Sequence, residues 1–395
     1  MLRQGVPLEA ALDRAARDLE PRDRAHAHAI AAAVLRWLPD LDAAIDGATR
    51  LPLAADAKAR MAMRIALAQA WVLETPPHAA IATVLPLVDG GPRKLVHGVF
   101  GTLTRGGDGL PDRPHLPAAV EARWRDAWGD AVVGAAEHAV AQPAPIDLTL
   151  REGAAHPDGT ALAPHHRRLP AGTPIAEQPG FAEGGWWVQD LAASLPARLL
   201  GPGAGHVLDL CAAPGGKTLQ LADAGWRVTA VDSSARRLER LAENLSRTGL
   251  SAETVVADLR GWAPGEPADA VLLDAPCSAT GIFRRHPDVL YRARPKVIAE
   301  LADQQARLLA RAAQWVRPGG RLVYAVCSLE REEGEAQLPR FLHAHGGWRL
   351  DPVAAEELPA GIAPNPDGTI RTLPTMLADA GRLDGFFIMR LVRAA

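Results

Sequence analysis

The stretch that most constrains the fold runs from His206 to Lys217 and reads H-V-L-D-L-C-A-A-P-G-G-K. Its apolar residues Val207, Leu208 and Leu210 are typical of a strand that is buried in a parallel sheet. A turn of small residues with two glycines follows, and the residues after it predict a helix. Taken alone, this is an ordinary strand-to-helix connection. The same order also brings the backbone close to a nucleotide-like cofactor at the carboxyl end of a strand.

Strand-like and helix-like segments alternate from His206 to the end of the chain. This alternation predicts a parallel sheet with helices on both faces, which is an α/β, Rossmann-like domain that we place at residues 181–395. The further strands are predicted at Val228–Val231, Thr254–Ala257, Ala270–Leu273, Arg321–Val326 and Phe386–Leu391. The helices between them are predicted at Ala235–Arg247, Lys296–Val316 and Glu333–His345.

The amino-terminal part carries apolar residues at helical spacing with short connections, which predicts an all-α domain at residues 1–108. Its second helix is predicted to open at Pro21 and to run through Leu38. Two interpretations of this domain stay open, a packing or oligomerisation module and a module that docks RNA. The second would use the basic residues Arg22, Arg24, Arg36, Arg60, Arg64, Arg93 and Lys94.

Residues 109–180 are predicted to form a linker and a small mixed subdomain. They contain a proline-rich connector and two helical pieces, and Ile146–Arg151 alternates like a strand. A helix predicted at Leu191–Leu200 then leads into the strand that starts at His206.

Composition excludes several classes of protein. An apolar content of 48% and a charged content of 23% are those of an ordinary globular protein, and a net charge of −3 leaves any nucleic-acid binding to local basic patches. No apolar run could span a membrane, and the first residues lack the layout of a secretory signal. Three cysteines without a C-x-x-C motif suggest neither a disulfide framework nor a zinc site, and we expect no metal. The sequence therefore predicts a cytoplasmic protein, which we expect to be a monomer.

An aspartate follows each of three predicted strands, and these aspartates are Asp232, Asp258 and Asp274. The carboxyl ends of the strands in such a sheet form the ligand crevice. Asp232 is placed to accept hydrogen bonds from ribose hydroxyls, and Asp258 could accept one from an adenine amino group. A single aspartate here is often a helix N-cap instead. Because neither G-x-G-x-x-G nor a phosphate-loop motif occurs, S-adenosylmethionine is a better cofactor prediction than NAD.

A Cys-Ser pair follows two of the predicted strands, in D-A-P-C-S-A-T-G and Y-A-V-C-S-L. If the sheet has the strand order of methyltransferases, the fourth and fifth strands lie beside the first. The sheet would then bring Cys277 and Cys327 together at the cofactor crevice. The alternatives are inert buried thiols and an adventitious disulfide.

Three stretches together resemble the signature of RNA (cytosine-5)-methyltransferases. They are C-A-A-P-G-G-K, D-A-P-C-S-A-T-G-I-F-R-R-H-P-D and V-C-S-L-E-x-E-E-G-E, and the likeness extends from residue 181 to the end. The helical first part resembles the NusB-like RNA-binding domain of the bacterial branch that modifies small-subunit ribosomal RNA. Val326 stands where the family often has threonine, and Leu290-Tyr291 stands where this branch commonly has Lys-Trp.

This resemblance implies methyl transfer from S-adenosylmethionine to carbon 5 of a cytosine in RNA, with 16S rRNA as the expected substrate. It implies that Cys327 is the nucleophile, that Cys277 assists the release of Cys327 from the base, and that Asp274 faces the base. The residues that it implies for cofactor binding are Cys211, Ala212, Ala213, Pro214, Gly215, Gly216, Lys217, Asp232, Asp258 and Asp274. Transfer RNA is the alternative substrate. The alternative functions are a non-catalytic RNA-binding assembly factor and a methyltransferase for a protein or small molecule.

The densest basic cluster of the chain directly follows the Cys277 loop. We predict that it contacts RNA phosphates, although a solvated loop and helix start would look the same. Its members are Arg284, Arg285, His286, Arg292, Arg294 and Lys296.

Overall fold

The structure of the protein is a computed structural model that describes residues 5–106 and 109–395. The chain forms two compact units. One comprises Met1–Gln142 together with Phe283–Arg292, and the other comprises Pro143–Ile282 and Ala293–Ala395. The predicted domain end at residue 108 and the first four residues lie outside the described residues. Within the described ranges, no helix is long and apolar enough to cross a membrane.

The first unit is all-helical in its described residues, as predicted. Residues at i, i+3 and i+4 of its fourth helix, namely Met63, Ala66 and Leu67, are fully buried and form the centre of its core. The helices are α1 (Leu8–Ala15), α2 (Pro21–Arg36), α3 (Leu38–Gly47), α4 (Lys58–Trp71), α5 (Pro77–Val84), α6 (Gly90–Gly106), α7 (Ala118–Trp128), α8 (Asp130–Ala141) and the short α12 (Val289–Arg292).

The predicted run of the second helix through Leu38 is wrong. Helix α2 ends at Arg36, and α3 begins at Leu38 with Pro39 in its first turn. Proline lacks an N–H group and clashes inside a helix, whereas the first turn tolerates it. The chain therefore starts a new helix at this point.

Three of the arginines that the RNA-docking interpretation placed on the surface are buried. Arg36, Arg60 and Arg64 are 8%, 4% and 3% exposed. Arg64 Nη2 lies 2.7 Å from Asp42 Oδ2, and Arg60 also pairs with Asp42, at 3.1 Å. Arg36 donates to the Val140 carbonyl at 2.8 Å. A buried guanidinium needs such partners, so these residues stabilise the helical unit and are not available to RNA.

The second unit opens with a small antiparallel sheet. Its strands are β1 (Ile146–Leu150), β2 (Thr160–Ala163), β3 (His166–Leu169) and β4 (Trp186–Val188), in the order β2-β3-β1-β4. Because β4 pairs with β1, this sheet continues past the predicted boundary at residue 180. Residues 109–142 belong to the first unit and residues 143–180 to the second.

The main sheet of the second unit has the order β10-β12-β9-β8-β5-β6-β7, with β11 beside β12. Five adjacent strands are parallel, in the order β9-β8-β5-β6-β7, and β12 runs antiparallel to β9. The expected neighbours of the first strand are confirmed, since β5 pairs with β8 and β8 with β9. The strands are β5 (His206–Leu210), β6 (Arg227–Asp232), β7 (Glu253–Val256), β8 (Ala268–Asp274), β9 (Val316–Val326), β10 (Trp348–Leu350), β11 (Ile370–Arg371) and β12 (Phe387–Arg393).

Helices cover both faces of this sheet. The helices are α9 (Leu191–Arg198), α10 (Gly216–Asp223), α11 (Ala235–Thr248), α13 (Pro295–Gln314) and α14 (Gln337–Ala344). Side chains alternate between the faces along each strand. Val271 therefore packs in the core that includes Leu309 of α13, whereas Leu272 packs in the core that includes Leu195 of α9. This two-sided burial explains why the strands read as nearly continuous apolar runs.

Candidate active site

A cavity of about 480 Å³ lies at the carboxyl ends of the parallel strands. Its volume falls in the range of roughly 300–1,000 Å³ that is usual for small-molecule sites. The predicted site residues that line it are Cys211, Asp232, Asp258, Asp274, Cys277 and Cys327. The strand order of the sheet thus brings the three strand-end aspartates and all three cysteines to one place.

The loop after β5 reaches the cavity through Cys211, and Ala212–Lys217 are not among the described residues that line it. Gly215 has a positive φ of 110°, and a Cβ there would lie 2.3 Å from Leu241 Cδ1. Only glycine fits this position, which lets α10 begin directly after the turn. Burial raises the pKa of Cys211 to about 12, so this thiol stays protonated.

Asp232 is 2% exposed and ties the loop to the next strand. Its Oδ2 accepts from the backbone N–H of Ala213 at 3.2 Å, and its Oδ1 accepts from that of Ser234 at 2.9 Å. The N-cap of α11 is Ser234, not Asp232. Asp232 therefore supports the start of the helix without capping it, and it still lines the cavity.

The other two aspartates have cationic partners. Hydrogen bonds from Arg260 lower the pKa of the half-exposed Asp258 to about 2. Asp274 Oδ2 accepts from Lys217 Nζ at 2.8 Å. Burial would lower the pKa of Lys217, but Asp274 outweighs it and the net shift is upward.

The sulfurs of Cys277 and Cys327 lie 3.5 Å apart, and all three cysteines are free thiols. The predicted meeting of the two cysteines at the crevice is confirmed. The hydrogen bond with Cys327, together with burial, raises the pKa of Cys277 well above that of an ordinary thiol. Cys277 is therefore held as a protonated thiol.

Two buried acids in this region were not predicted as site residues from the sequence. Glu333 is fully buried and binds both cysteine loops. Asp209 on β5 is also fully buried and accepts from Thr218 Oγ1 at 2.6 Å. Burial raises the pKa of Asp209 to about 7. The available signals were an aspartate inside an apolar strand and a glutamate in a stretch that resembles a family signature.

The predicted RNA-contacting residues divide into two groups. Arg284 is 1% exposed, so its prediction as a phosphate contact is wrong in this structure. Its segment is embedded in the helical unit, where the Phe283 ring lies 5.2 Å from that of Trp124 and the Arg284 carbonyl accepts from Arg36 Nη2 at 3.0 Å. Tyr291 of the same segment donates to the Leu35 carbonyl at 2.8 Å. The accessible members are the partly exposed Arg285, His286 and Arg292 and the exposed Arg294 and Lys296.

Comparison with known proteins agrees with this architecture. A family model described as 16S rRNA methyltransferase RsmB/F matches residues 198–392, and a NusB family model matches residues 2–100. The ribosomal RNA small subunit methyltransferase B of Xylella fastidiosa (strain Temecula1) is 38% identical, over 99% of this chain and 94% of the relative.

Two solved structures share the fold. The crystal structure of PH0851 covers 95% of this chain and 91% of its own, with a TM-score of 0.71 and 25% identity. The structure of NSun6 from Pyrococcus horikoshii with SFG covers 71% of this chain and 99% of its own, with a TM-score of 0.60 and 19% identity. The identity to the Xylella relative over nearly the whole of both chains shows that this protein belongs to the RsmB/F family of 16S rRNA methyltransferases and carries a NusB-family domain.

Proposed function

We propose that this protein transfers a methyl group from S-adenosylmethionine to carbon 5 of a cytosine in 16S rRNA, through a covalent bond between Cys327 and the base. The observation that carries the proposal is the meeting of two sulfurs, 3.5 Å apart, in a cavity that three strand-end aspartates also line. Methyltransferases for proteins or small molecules have no use for paired thiols, which favours a pyrimidine as the acceptor.

The residues of the cavity fit the cofactor. Carboxylates at Asp232 and Asp258 accept hydrogen bonds, as ribose hydroxyls and an adenine amino group require. When bound, the cofactor supplies an electrophilic methyl group on a positively charged sulfur. The carboxylate of Asp274 in the same cavity suits that positive charge. The loop from Ala212 to Lys217 contributes by holding Asp232 and Asp274, through hydrogen bonds from the Ala213 N–H and from Lys217 Nζ.

The two thiols have different roles in the reaction. Cys327 Sγ adds to carbon 6 of cytosine, which breaks the double bond between carbons 5 and 6 and makes carbon 5 nucleophilic. This addition needs the thiolate form of the nucleophile, and we assign Asp274, which accepts from Lys217 Nζ, to face the base. After methylation, the proton on carbon 5 passes to a water molecule, its electron pair restores the double bond between carbons 5 and 6, and Cys327 leaves carbon 6 as a thiolate. Cys277, next to the departing sulfur, takes part in this release.

RNA reaches the site as a flipped or single-stranded nucleotide, because carbon 6 is inaccessible in a stacked helix. Since the net charge is −3, phosphate contacts come from local basic groups. We assign them to Arg285, His286, Arg292, Arg294 and Lys296, with the exposed Arg294 and Lys296 contributing most. The cytoplasmic location and the monomeric state stay predictions.

Labelled methyl transfer tests this function. The purified protein is incubated with S-adenosylmethionine labelled on its methyl group and with RNA from a strain that lacks the gene. We expect label in 16S rRNA as 5-methylcytosine, located by bisulfite sequencing, and none in RNA from the parent strain, whose site is already methylated. Label in transfer RNA alone would show that transfer RNA is the substrate. No label in any RNA or assembling subunit would favour the alternative that the protein is a non-catalytic assembly factor.

A further inference from the structure

One buried carboxylate joins the two loops that carry the cysteines. Glu333 Oε1 accepts from the backbone N–H of Ser278 at 2.8 Å, and its Oε2 accepts from the hydroxyls of Ser278 and Ser328 at 2.5 Å each. These serines directly follow Cys277 and Cys327 in the chain. Each cysteine is therefore followed in the chain by a serine that is hydrogen-bonded to Glu333.

Further donors complete the surroundings of this carboxylate. Gln305 Nε2 donates to Glu333 Oε1 and to the Pro276 carbonyl, at 3.0 Å each. The Tyr324 hydroxyl donates to the Glu333 carbonyl at 2.7 Å and lies 3.2 Å from Gln305 Oε1. Both carboxylate oxygens thus accept two hydrogen bonds, which offsets the cost of burying the group.

We propose that Glu333 is the positioning residue of the reaction, which holds the two cysteine loops in register so that both sulfurs reach the same cytosine ring. This inference rests on the roles proposed for Cys277 and Cys327. Glu333 does not line the described cavity, so it acts through the serines rather than on the base.

A carboxylate suits this arrangement best. The Ser278 N–H and the Gln305 amide can only donate to Oε1, whereas the two serine hydroxyls can donate to Oε2 or turn to accept. Glutamine has nearly the same size but is neutral, and its NH₂ group replaces one of the two accepting oxygens. Glu333→Gln therefore keeps the packing and weakens the hydrogen bonds that hold the two loops, because it removes the charge that strengthens them. A displacement of about 1 Å at a reacting group can cost on the order of 100-fold in rate.

The experiment measures the register of the sulfurs without RNA. Diamide oxidises two thiols to a disulfide and is itself reduced to the hydrazine. The rate at which the Cys277–Cys327 disulfide forms depends on the distance between the sulfurs and on the fraction of thiolate, so it is compared over a range of pH to separate the two. The disulfide is identified by peptide mapping in the wild type, Glu333→Gln and the control Glu332→Gln, whose side chain is exposed. We expect disulfide formation about tenfold slower and kcat about 100-fold lower in Glu333→Gln, with the KM for the cofactor within about twofold. Glu332→Gln should match the wild type.

Wild-type rates of disulfide formation and methyl transfer in Glu333→Gln would overturn the inference. A wild type that forms the disulfide rapidly but methylates no RNA would refute the proposed function instead, so the two failures are distinguishable. If Glu333→Gln does not fold, Ser278→Ala and Ser328→Ala each remove one hydroxyl from one loop. Slower disulfide formation in both, with a double variant less impaired than the two single effects predict together, supports the bridge. Wild-type rates in both overturn it.

Discussion

The cysteine side and the aspartate side of the cavity are built differently. On the cysteine side, Glu333 and the two serines are buried and hydrogen-bonded to one another. On the aspartate side, Asp232 is buried and hydrogen-bonded, but Asp258 is half exposed with Arg260 as its partner. Asp209, on the neighbouring strand β5, does not line the cavity, and its Oδ1 has no hydrogen-bond partner among the described residues. A site that makes and breaks bonds must be organised before the substrate arrives, whereas ligand groups can complete a binding surface. Substitutions on the cysteine side should therefore change kcat, and those on the aspartate side should change KM.

The largest effect is expected from Cys327→Ala. Without this thiol nothing adds to carbon 6, so methyl transfer should fall by at least about 10⁴-fold while cofactor affinity stays within about twofold. Labelled transfer and calorimetry measure the two quantities. Cys211→Ala is the comparison, since its protonated thiol lines the same cavity but is assigned to cofactor binding alone, so at saturating cofactor its transfer rate should stay close to that of the wild type. Transfer by Cys327→Ala above a hundredth of the wild-type rate would remove the covalent step from the mechanism.

Cys277→Ala should separate the two thiols. Addition and methylation can still occur, but release slows, so we expect turnover to fall by about 10²- to 10³-fold. An RNA–protein adduct that survives denaturing electrophoresis should accumulate, and Cys277→Ala combined with Cys327→Ala should abolish it. Identical behaviour of the two single variants, without an adduct, would contradict the division of roles.

Asp258→Asn tests the aspartate side. Because the pKa of Asp258 is about 2, its carboxylate is ionised from pH 5 to 9, and its contribution to cofactor binding should not vary over this range. Loss of one charge-assisted hydrogen bond should raise the KM for S-adenosylmethionine by about tenfold and leave kcat within about twofold. Glu266→Gln, an exposed pair with Arg227, is the matched control. A collapse of kcat in Asp258→Asn would show that the two sides are not separable.

The sequence predicts some features of the two sides of the cavity and not others. The strand ends and the meeting of Cys277 with Cys327 follow from apolar periodicity and from the rule that parallel strands share one carboxyl edge. The burial of Arg60 does not, because its partners Asp42 and Asp46 approach it only when α3 and α4 pack. Glu333 likewise lies in the charged run E-R-E-E-G-E, for which the sequence predicts an exposed segment. Its burial depends on the two cysteine loops, which enclose it only in the folded structure.

The pairing of β4 with β1 shows the same limit. Trp186–Val188 is a short strand, and its partner lies more than thirty residues earlier in the chain. Periodicity along the chain contains no information on that pairing, so the small sheet was expected to end before it. Local patterns thus predict elements and the edge at which they end, whereas the partners of buried charges and short strands depend on tertiary packing.

The smallest effect on turnover is expected at Asp209, the counterpart of Glu333 on the other side. Both are buried acids, but Asp209 has only the Thr218 hydroxyl as a described partner, and burial raises its pKa from 3.8 to about 7. Between these pH values the folded protein binds a proton that the unfolded chain has lost, so the stability from this group is present below about pH 4 and lost as pH rises to about 7. Asp209→Asn avoids that loss and should unfold with a free energy higher than wild type by up to about 4 kcal/mol above pH 7, a gain that shrinks toward pH 4. Denaturant unfolding across pH 4–8 measures it, with the exposed Asp379→Asn as control. A difference that does not vary with pH would mean that Asp209 ionises normally inside the sheet, and the aspartate side would then be as fully organised as the cysteine side.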